Sequence, residues 1–274
     1  MVVVLILGSG TPIPDPRRAG PATAVLADGE WFLVDCGRAA TQRAIEAGLD
    51  LTALAAVAIT HHHSDHLSDL ATLATARWTA GATTPLTVVA PIGHAARFAE
   101  RCLEPFHDQS FYGQAVGGTA PRPVVHVHGF AASTVVSPVY ASDDWRLSSV
   151  LVDHHPVEPA VGYLVEHGDH RVAISGDTAI CDGMRHLAQS VDVLVHEALL
   201  SSRVPSALLD WNAGAKAVGQ LAAQVRPHTL VLTHLIPAPQ SAGDEQEYLD
   251  EVRAGGFDGR TIVAHDHLRV SVNQ

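Results

Sequence analysis

Apolar residues fall along the chain in short runs, each closed by glycine, proline or a polar cluster, and the runs are of two kinds. The opening VVVLIL at 2–7 is continuous and β-branched, which predicts a strand buried on both faces, and the Gly- and Pro-rich stretch after it predicts a loop. ATAVLAD and EWFLVDCG meet at Asp28-Gly29, a dipeptide suited to a tight hairpin turn, so two antiparallel strands are expected there. RAATQRAIEAG has helical spacing with Gly48 at its end, and LAAVAIT then predicts a short buried strand running into a polar loop and the helix-like LSDLATLATARW. PLTVVAP and IGHAARFAERCLEPF repeat the strand and helix alternation. PVVHVHGF, TVVSPVY and WRLSSVLV are strand-like, and a hairpin is expected about Gly168-Asp169. The last third alternates again, with helices at 182–189, 213–224 and 244–253, strands VDVLVH and TLVLTH between them, and closing strands TIVAH and LRVSV.

Two β-rich halves, each acquiring helices, fit two sheets packed face to face with helices outside, a four-layer αββα sandwich, better than one parallel sheet. Neither a repeat of solenoid period nor a low-complexity linker interrupts 1–274, so one domain is expected. Hydrophobic residues make up 47% of the chain and charged residues 17%, which excludes intrinsic disorder. No run reaches the roughly 20 apolar residues of a membrane span. The N-terminal apolar run has no basic residue ahead of it, so a cytoplasmic protein is expected. The formal charge of −12 creates no general attraction to nucleic acid or anionic lipid.

Cys36, Cys102 and Cys181 are far apart and form no CxxC, so neither a disulfide framework nor a thiolate metal site is indicated. Histidine is the outlier: there are 18, against 17 Lys and Arg together. Imidazole is the commonest metal ligand, so their positions carry the functional signal. Thr60-His61-His62-His63-Ser64-Asp65-His66 leaves an apolar strand. Alternate side chains there can point one way, so that His61 and His63 close on one cation while Asp65 and His66 turn to a second. Other apolar runs end in similar chemistry: His154 or His155 after SSVLVD, Asp177 after RVAISG, and His234 closing TLVLTH. A sheet gathers its strand ends at one rim, so these positions can converge.

On the segments LGSGTPIPDPRRAGPAT, VDCG, THHHSDHLSDL, DHHPVEPAVGY, SGDT, LVHEALL and LVLTHLIP, the chain resembles a metallo-β-lactamase-fold hydrolase of the ribonuclease Z and arylsulfatase-like branch. The resemblance implies two zinc ions, with Mn2+ or Fe2+ as substitutes. His61, His63 and His154 would hold one, Asp65, His66 and His234 the other, with Asp177 bridging. His154 is preferred to His155 by the Val152-Asp153-His154 entry. Such a pair implies hydrolysis by a metal-activated hydroxide, with Asp65 orienting it or taking its proton. His196-Glu197 is implied as a carboxylate holding an imidazole that protonates the leaving oxygen. Asp35 is read as a support for the histidine loop. His62, His94, His107, His126, His128, His265 and His267 have no family motif behind them, and solvated or core roles are expected.

Two departures bear on the substrate. Ribonuclease Z enzymes of this branch carry a tRNA-gripping arm between the Gly-Tyr strand and the Gly-Asp-Thr loop, where this chain has only LVEHGDHRVAIS. Asn212 also stands where the branch has a histidine. With the negative charge, these favour a small-molecule phosphodiester, sulfate ester, carboxylic ester or lactone as substrate, and rank tRNA 3′ processing below it. A di-iron redox or binding member of the fold ranks lower still. Loops 11–21, 106–123 and 199–210 are expected to set specificity, with Phe106, Phe111, Tyr112 and Trp211 as an apolar wall. A homodimer is a further expectation of the fold.

Overall fold

The computed structural model describes residues 1–109 and 122–272. Two seven-stranded sheets face one another. The first runs β14 (Leu268–Val272), β1 (Val2–Gly8), β2 (Ala22–Ala27), β3 (Glu30–Val34), β4 (Leu54–Ala58), β5 (Leu86–Pro91) and β6 (Val125–Phe130). The second runs, edge to edge, β13 (Arg260–Val263), β12 (Thr229–Ile236), β11 (Val193–Leu199), β10 (His170–Ile174), β9 (Val161–His167), β8 (Trp145–Leu151) and β7 (Ser137–Ala141). Pairing is parallel from β3 to β6 and from β10 to β13, and antiparallel elsewhere. Helices α1 (Ala40–Glu46), α2 (Ser64–Leu67), α3 (Leu70–Thr79) and α4 (His94–Arg101) cover the first sheet, and α5 (Asp182–Leu187), α6 (Ala215–Val225) and α7 (Ala242–Ala254) the second. This is the expected four-layer αββα sandwich. No helix among the described residues is long and apolar enough to cross a membrane.

The continuous apolar runs follow from this layering, because central strands are buried on both faces. In β1, Val4 and Ile6 pack between the sheets with Phe32, Trp145 and Val231, while Leu5 and Leu7 pack under the helices with Ala44, Leu70 and Leu73. In β11, Val193 and Val195 face the inter-sheet core, and Leu194 and Ala198 face α5 and α6. The Asp28-Gly29 turn forms as expected, with both residues at positive φ (51° and 89°), the twist that matches paired strands. β9 and β10 are joined only by Gly168 and Asp169, so nothing extends from this hairpin.

Predicted helices differ mainly in extent. The expected polar loop over HHHSDH ends in one helical turn, α2, which places Asp65 and His66, and the helix expected over LSDLATLATARW starts as α3 only at Leu70. The α4 pattern stops at Arg101 and gives way to a 3-10 turn over Glu104–Gln109. The closing strands separate. β13 extends the second sheet and β14 returns to pair with β1, Val2 opposite Val272.

Candidate metal centre

The parallel strands deliver their C-terminal ends to one rim, and the polar residues following them meet there. Two glycines permit the approach. At Gly37 a β-carbon would lie 2.1 Å from the Asp65 carbonyl oxygen, so only glycine lets the turn after β3 pass under the histidine loop. Gly176 adopts φ 63°, and a β-carbon there would meet Thr60 Cβ at 2.9 Å, which fixes glycine beside Asp177. The loops are tied together as well: Ala179 N donates to Asp153 O at 2.7 Å, and Val161 N to Thr60 O at 3.1 Å.

His61, His63, His154 and Asp177 present ligand atoms within 4.8 Å of one another, and so do Asp65, His66 and His234. Asp177 lies between the two groups. Its Oδ2 is 4.0 Å from Nε2 of His61 and of His154 and 3.4 Å from Nε2 of His234, while Oδ1 is 3.3 Å from Nε2 of His66. Asp65 Oδ2 is 3.4 Å from His234 Nε2 and 3.6 Å from His66 Nε2. All of these except the partly exposed His63 are buried. His154 is buried and points inward, whereas its neighbour His155 is exposed. His234 reaches the cluster from within β12 by adopting φ 49°, a left-handed backbone uncommon outside glycine.

The outer nitrogens are held from behind. His66 Nδ1 donates to Asp35 Oδ2 at 2.8 Å. The Thr60 hydroxyl donates to the same carboxylate and accepts from His61 Nδ1 at 3.0 Å. His154 Nδ1 donates to the carbonyl of Trp211 at 2.9 Å. These bonds fix the tautomers that leave Nε2 of each ring facing inward. His61 Nε2, His66 Nε2 and Asp177 Oδ1 are buried and have no hydrogen-bond partner among the described residues. Buried polar atoms are costly when unmatched, so inward-facing imidazoles and carboxylates of this kind fit a pair of cations. The chemistry of the donor set, nitrogen and carboxylate oxygen without sulfur, fits a dinuclear metal site.

Electrostatics follow the same geometry. Burial acts to raise the Asp177 carboxyl, but His234 and His66 around it prevail and hold it well below the carboxylate range. Burial likewise acts to raise Asp65, and His234 and His66 bring it below its ordinary value. Desolvation, with His66 adding repulsion, drives His61 well down and keeps it neutral. Glu197 is the opposite case: burial and the nearby Asp177 push it well up.

His196 and Glu197 are not arranged as an imidazole held by its neighbouring carboxylate. Consecutive residues of β11 face opposite ways, so Glu197 shares the inter-sheet face with Val193 and Val195, and its Oε2 stands 3.8 Å from His234 Nδ1. His196 lies on the helix-covered face, fully buried, with Nδ1 bonded to the Glu197 carbonyl at 2.8 Å, and burial lowers it to about 4. Glu197 Oε1 accepts from Thr178 N, next to Asp177. Thr60 and the Trp211 carbonyl are supporting groups that reading the motifs does not single out. The need of every metal-facing imidazole for an outer partner is the signal that finds Thr60. Phe106 is 43% exposed and Trp211 partly exposed; Phe111 and Tyr112 lie outside the described residues.

The family profile of a beta-lactamase superfamily domain matches residues 30–235. The chain belongs to the metallo-β-lactamase superfamily of metal-dependent hydrolases. The ribonuclease Z of Mycobacterium bovis (strain BCG Pasteur) is 34% identical over 284 aligned positions, spanning 100% of this chain and 99% of the relative. Among solved structures, the metallo-β-lactamase-fold protein YhfI of Bacillus subtilis superposes with a TM-score of 0.75 at 18% identity, covering 99% of this chain and 100% of that one. The short form of human tRNase Z superposes with a TM-score of 0.73 at 20% identity, covering both chains fully. At these identities the superpositions speak for the fold.

The full-length likeness to proteins named ribonuclease Z corrects the expectation that nucleic acid is a disfavoured partner and a small molecule the substrate. The physical reason is locality. A net charge of −12 is a sum over the whole surface, whereas phosphates are met by a few donors at one place.

Proposed function

We propose that the protein is a metal-dependent RNA phosphodiesterase of the ribonuclease Z type, cutting precursor tRNA on the 3′ side of the mature sequence. The observation that carries this reading is the 34% identity over essentially the full length of relatives named ribonuclease Z. In this reading His61, His63 and His154 would hold one ion and Asp65, His66 and His234 the other, with Asp177 placed between the two groups. Zinc is the metal, because three imidazoles on one ion, and two imidazoles with a carboxylate on the other, suit it well. The chemistry the pair supplies when bound is acidification of water near neutrality and neutralisation of charge on the phosphoryl oxygens.

The chain's own groups do the rest. Asp65, ionised despite its burial, accepts a proton or hydrogen bond from the attacking water. Asp177 keeps its charge between the imidazoles and sets the spacing of the two ligand groups. Asp35 and Thr60 hold the rings of His66 and His61 in register, so little reorganisation accompanies reaction. Glu197, whose carboxyl burial and Asp177 push well above its ordinary value, stands behind the His234 ring at Nδ1.

The test is incubation of the metal-loaded protein with precursor tRNA, bis(p-nitrophenyl) phosphate, an aryl sulfate and an aryl ester, with and without chelator. Chelator-sensitive release of the 3′ trailer is the expected result. Efficient hydrolysis of a small ester with precursor tRNA left intact overturns the reading.

A further inference from the structure

A row of imidazoles leads out of the metal centre. The ring centroids of His154 and His63 are 5.1 Å apart, those of His63 and His62 6.1 Å, and those of His62 and His94 4.8 Å. His62 uses its alternate direction in the histidine loop to turn from the ligand cluster toward α4, and its Nδ1 is buried with no hydrogen-bond partner among the described residues. His94 is exposed and opens α4. One turn on, Arg97 is exposed and its side chain makes no ion pair or hydrogen bond among the described residues; at i+3 it neighbours His94 on the helix surface.

At the outward end of this row His94 offers a donor and Arg97 a cation, with the exposed carboxylate of Glu100 one turn further along α4. No side chain caps the start of α4 and no acidic residue occupies its first turn, so the partial positive charge of the helix end adds to that of Arg97. Glu104 is engaged by Arg101 through two bonds of 2.8 Å, which also removes Arg101 from the row. Phe98, 38% exposed, lies beside Arg97 on the same surface.

We infer that His62, His94 and Arg97 form a phosphate-binding subsite that holds the RNA backbone next to the phosphodiester being cut. This rests on the RNA reading above and names where this chain grips its substrate without an arm on the β9–β10 hairpin. Arg97 supplies charge, and the imidazole N–H groups supply direction. The row starts at His63, so a strand whose scissile phosphate lies at the metal centre presents its adjoining phosphate to these donors.

The experiment uses the metal-loaded full-length protein and its Arg97→Gln, His94→Ala and Arg101→Gln variants. The readouts are steady-state cleavage of precursor tRNA and binding of mature, uncleavable tRNA by fluorescence anisotropy over a range of KCl. All three positions are exposed, and thermal unfolding checks that the variants fold. Arg97→Gln is expected to raise KM for precursor tRNA about tenfold with kcat held within about twofold, and to lower the slope of log affinity against log salt by about 1. His94→Ala is expected to raise KM about threefold, and Arg101→Gln to stay within twofold of the parent. KM and salt slope unmoved by Arg97→Gln and His94→Ala, in a parent that does cleave precursor tRNA, overturn the subsite alone. A fall in kcat at constant KM also overturns it. A parent that neither binds nor cleaves tRNA overturns the RNA reading and the subsite together.

Discussion

Asp35 Oδ2 accepts a hydrogen bond from Nδ1 of His66 at 2.8 Å, and Asp35 Oδ1 accepts one from the backbone N–H of Thr60 at 2.8 Å. A single carboxylate at φ 62°, directly after β3, therefore sets both the start of the histidine loop and the ring at its end. Asp35→Ala is expected to weaken metal binding by about 10–100-fold, the usual effect of removing a carboxylate behind a ligating histidine. It should also destabilise the fold by about 1–3 kcal/mol, because buried donors lose their acceptor. Chelator competition and denaturant unfolding measure the two effects. Metal affinity within twofold of the parent would show that the loop is ordered by something else.

Asp177 is the group that both ligand clusters share. Asp177→Ala should leave at most one metal per chain by elemental analysis and reduce kcat at least about a thousandfold, which corresponds to about 4 kcal/mol of transition-state stabilisation. Two bound metals with full activity would remove the bridging assignment.

Much of this centre is legible in the sequence because its parts sit at strand ends, where an apolar run stops and a polar residue follows. His61, Asp177 and His234 each close such a run. The hairpins at Asp28-Gly29 and Gly168-Asp169 are legible because local φ requirements select those residues. Other features depend on contacts distant in sequence. Nothing in LRVSV indicates that β14 leaves the second sheet to pair with β1. The opposite orientations of His196 and Glu197 are hidden because β11 is apolar on both faces, so its periodicity does not say which side meets the metals. The carbonyl that orients His154 belongs to Trp211, on a loop whose backbone direction no side-chain pattern encodes.

His196 and Glu197 can be separated by mutation. Glu197 faces His234, so Glu197→Ala should lower kcat at least tenfold. His196→Gln alters a ring on the helix side and should cost about 1–3 kcal/mol of stability while kcat of the folded, metal-loaded enzyme stays within about threefold. A collapse of kcat in His196→Gln with unchanged stability would restore His196 to the chemistry.

The loop carrying Trp211 is anchored at its other end by Arg203, which pairs with Asp244 at 2.8 Å and with Glu247. The Gln240 backbone N–H, Arg203 and the Ser241 hydroxyl together lower Asp244 from 3.8 to about 2. The group is more acidic in the folded state, so its stabilisation is full above about pH 4 and is lost as pH falls toward 2. Asp244→Asn should therefore lower Tm at pH 7, and the difference from the parent should shrink as pH drops below 4. A Tm difference that stays constant between pH 7 and pH 3 would disprove the linkage.

Removing the metals tests whether the cluster is built around them. His61 Nε2, His66 Nε2 and Asp177 Oδ1 are buried without hydrogen-bond partners among the described residues, so the ions stabilise the folded chain and bind the unfolded one poorly. With free metal at about 100 times its dissociation constant, one site adds about 2.7 kcal/mol. At about 2–4 °C per kcal/mol for a chain of this size, chelation should lower Tm by about 5–10 °C for each site emptied. Restoring zinc should recover the loss, whereas Asp177→Ala should show less than half of it. Identical Tm values with and without chelator, on protein whose metal content has been verified, would mean that these seven side chains are held by packing alone and that the buried atoms facing Asp177 find their partners in another way.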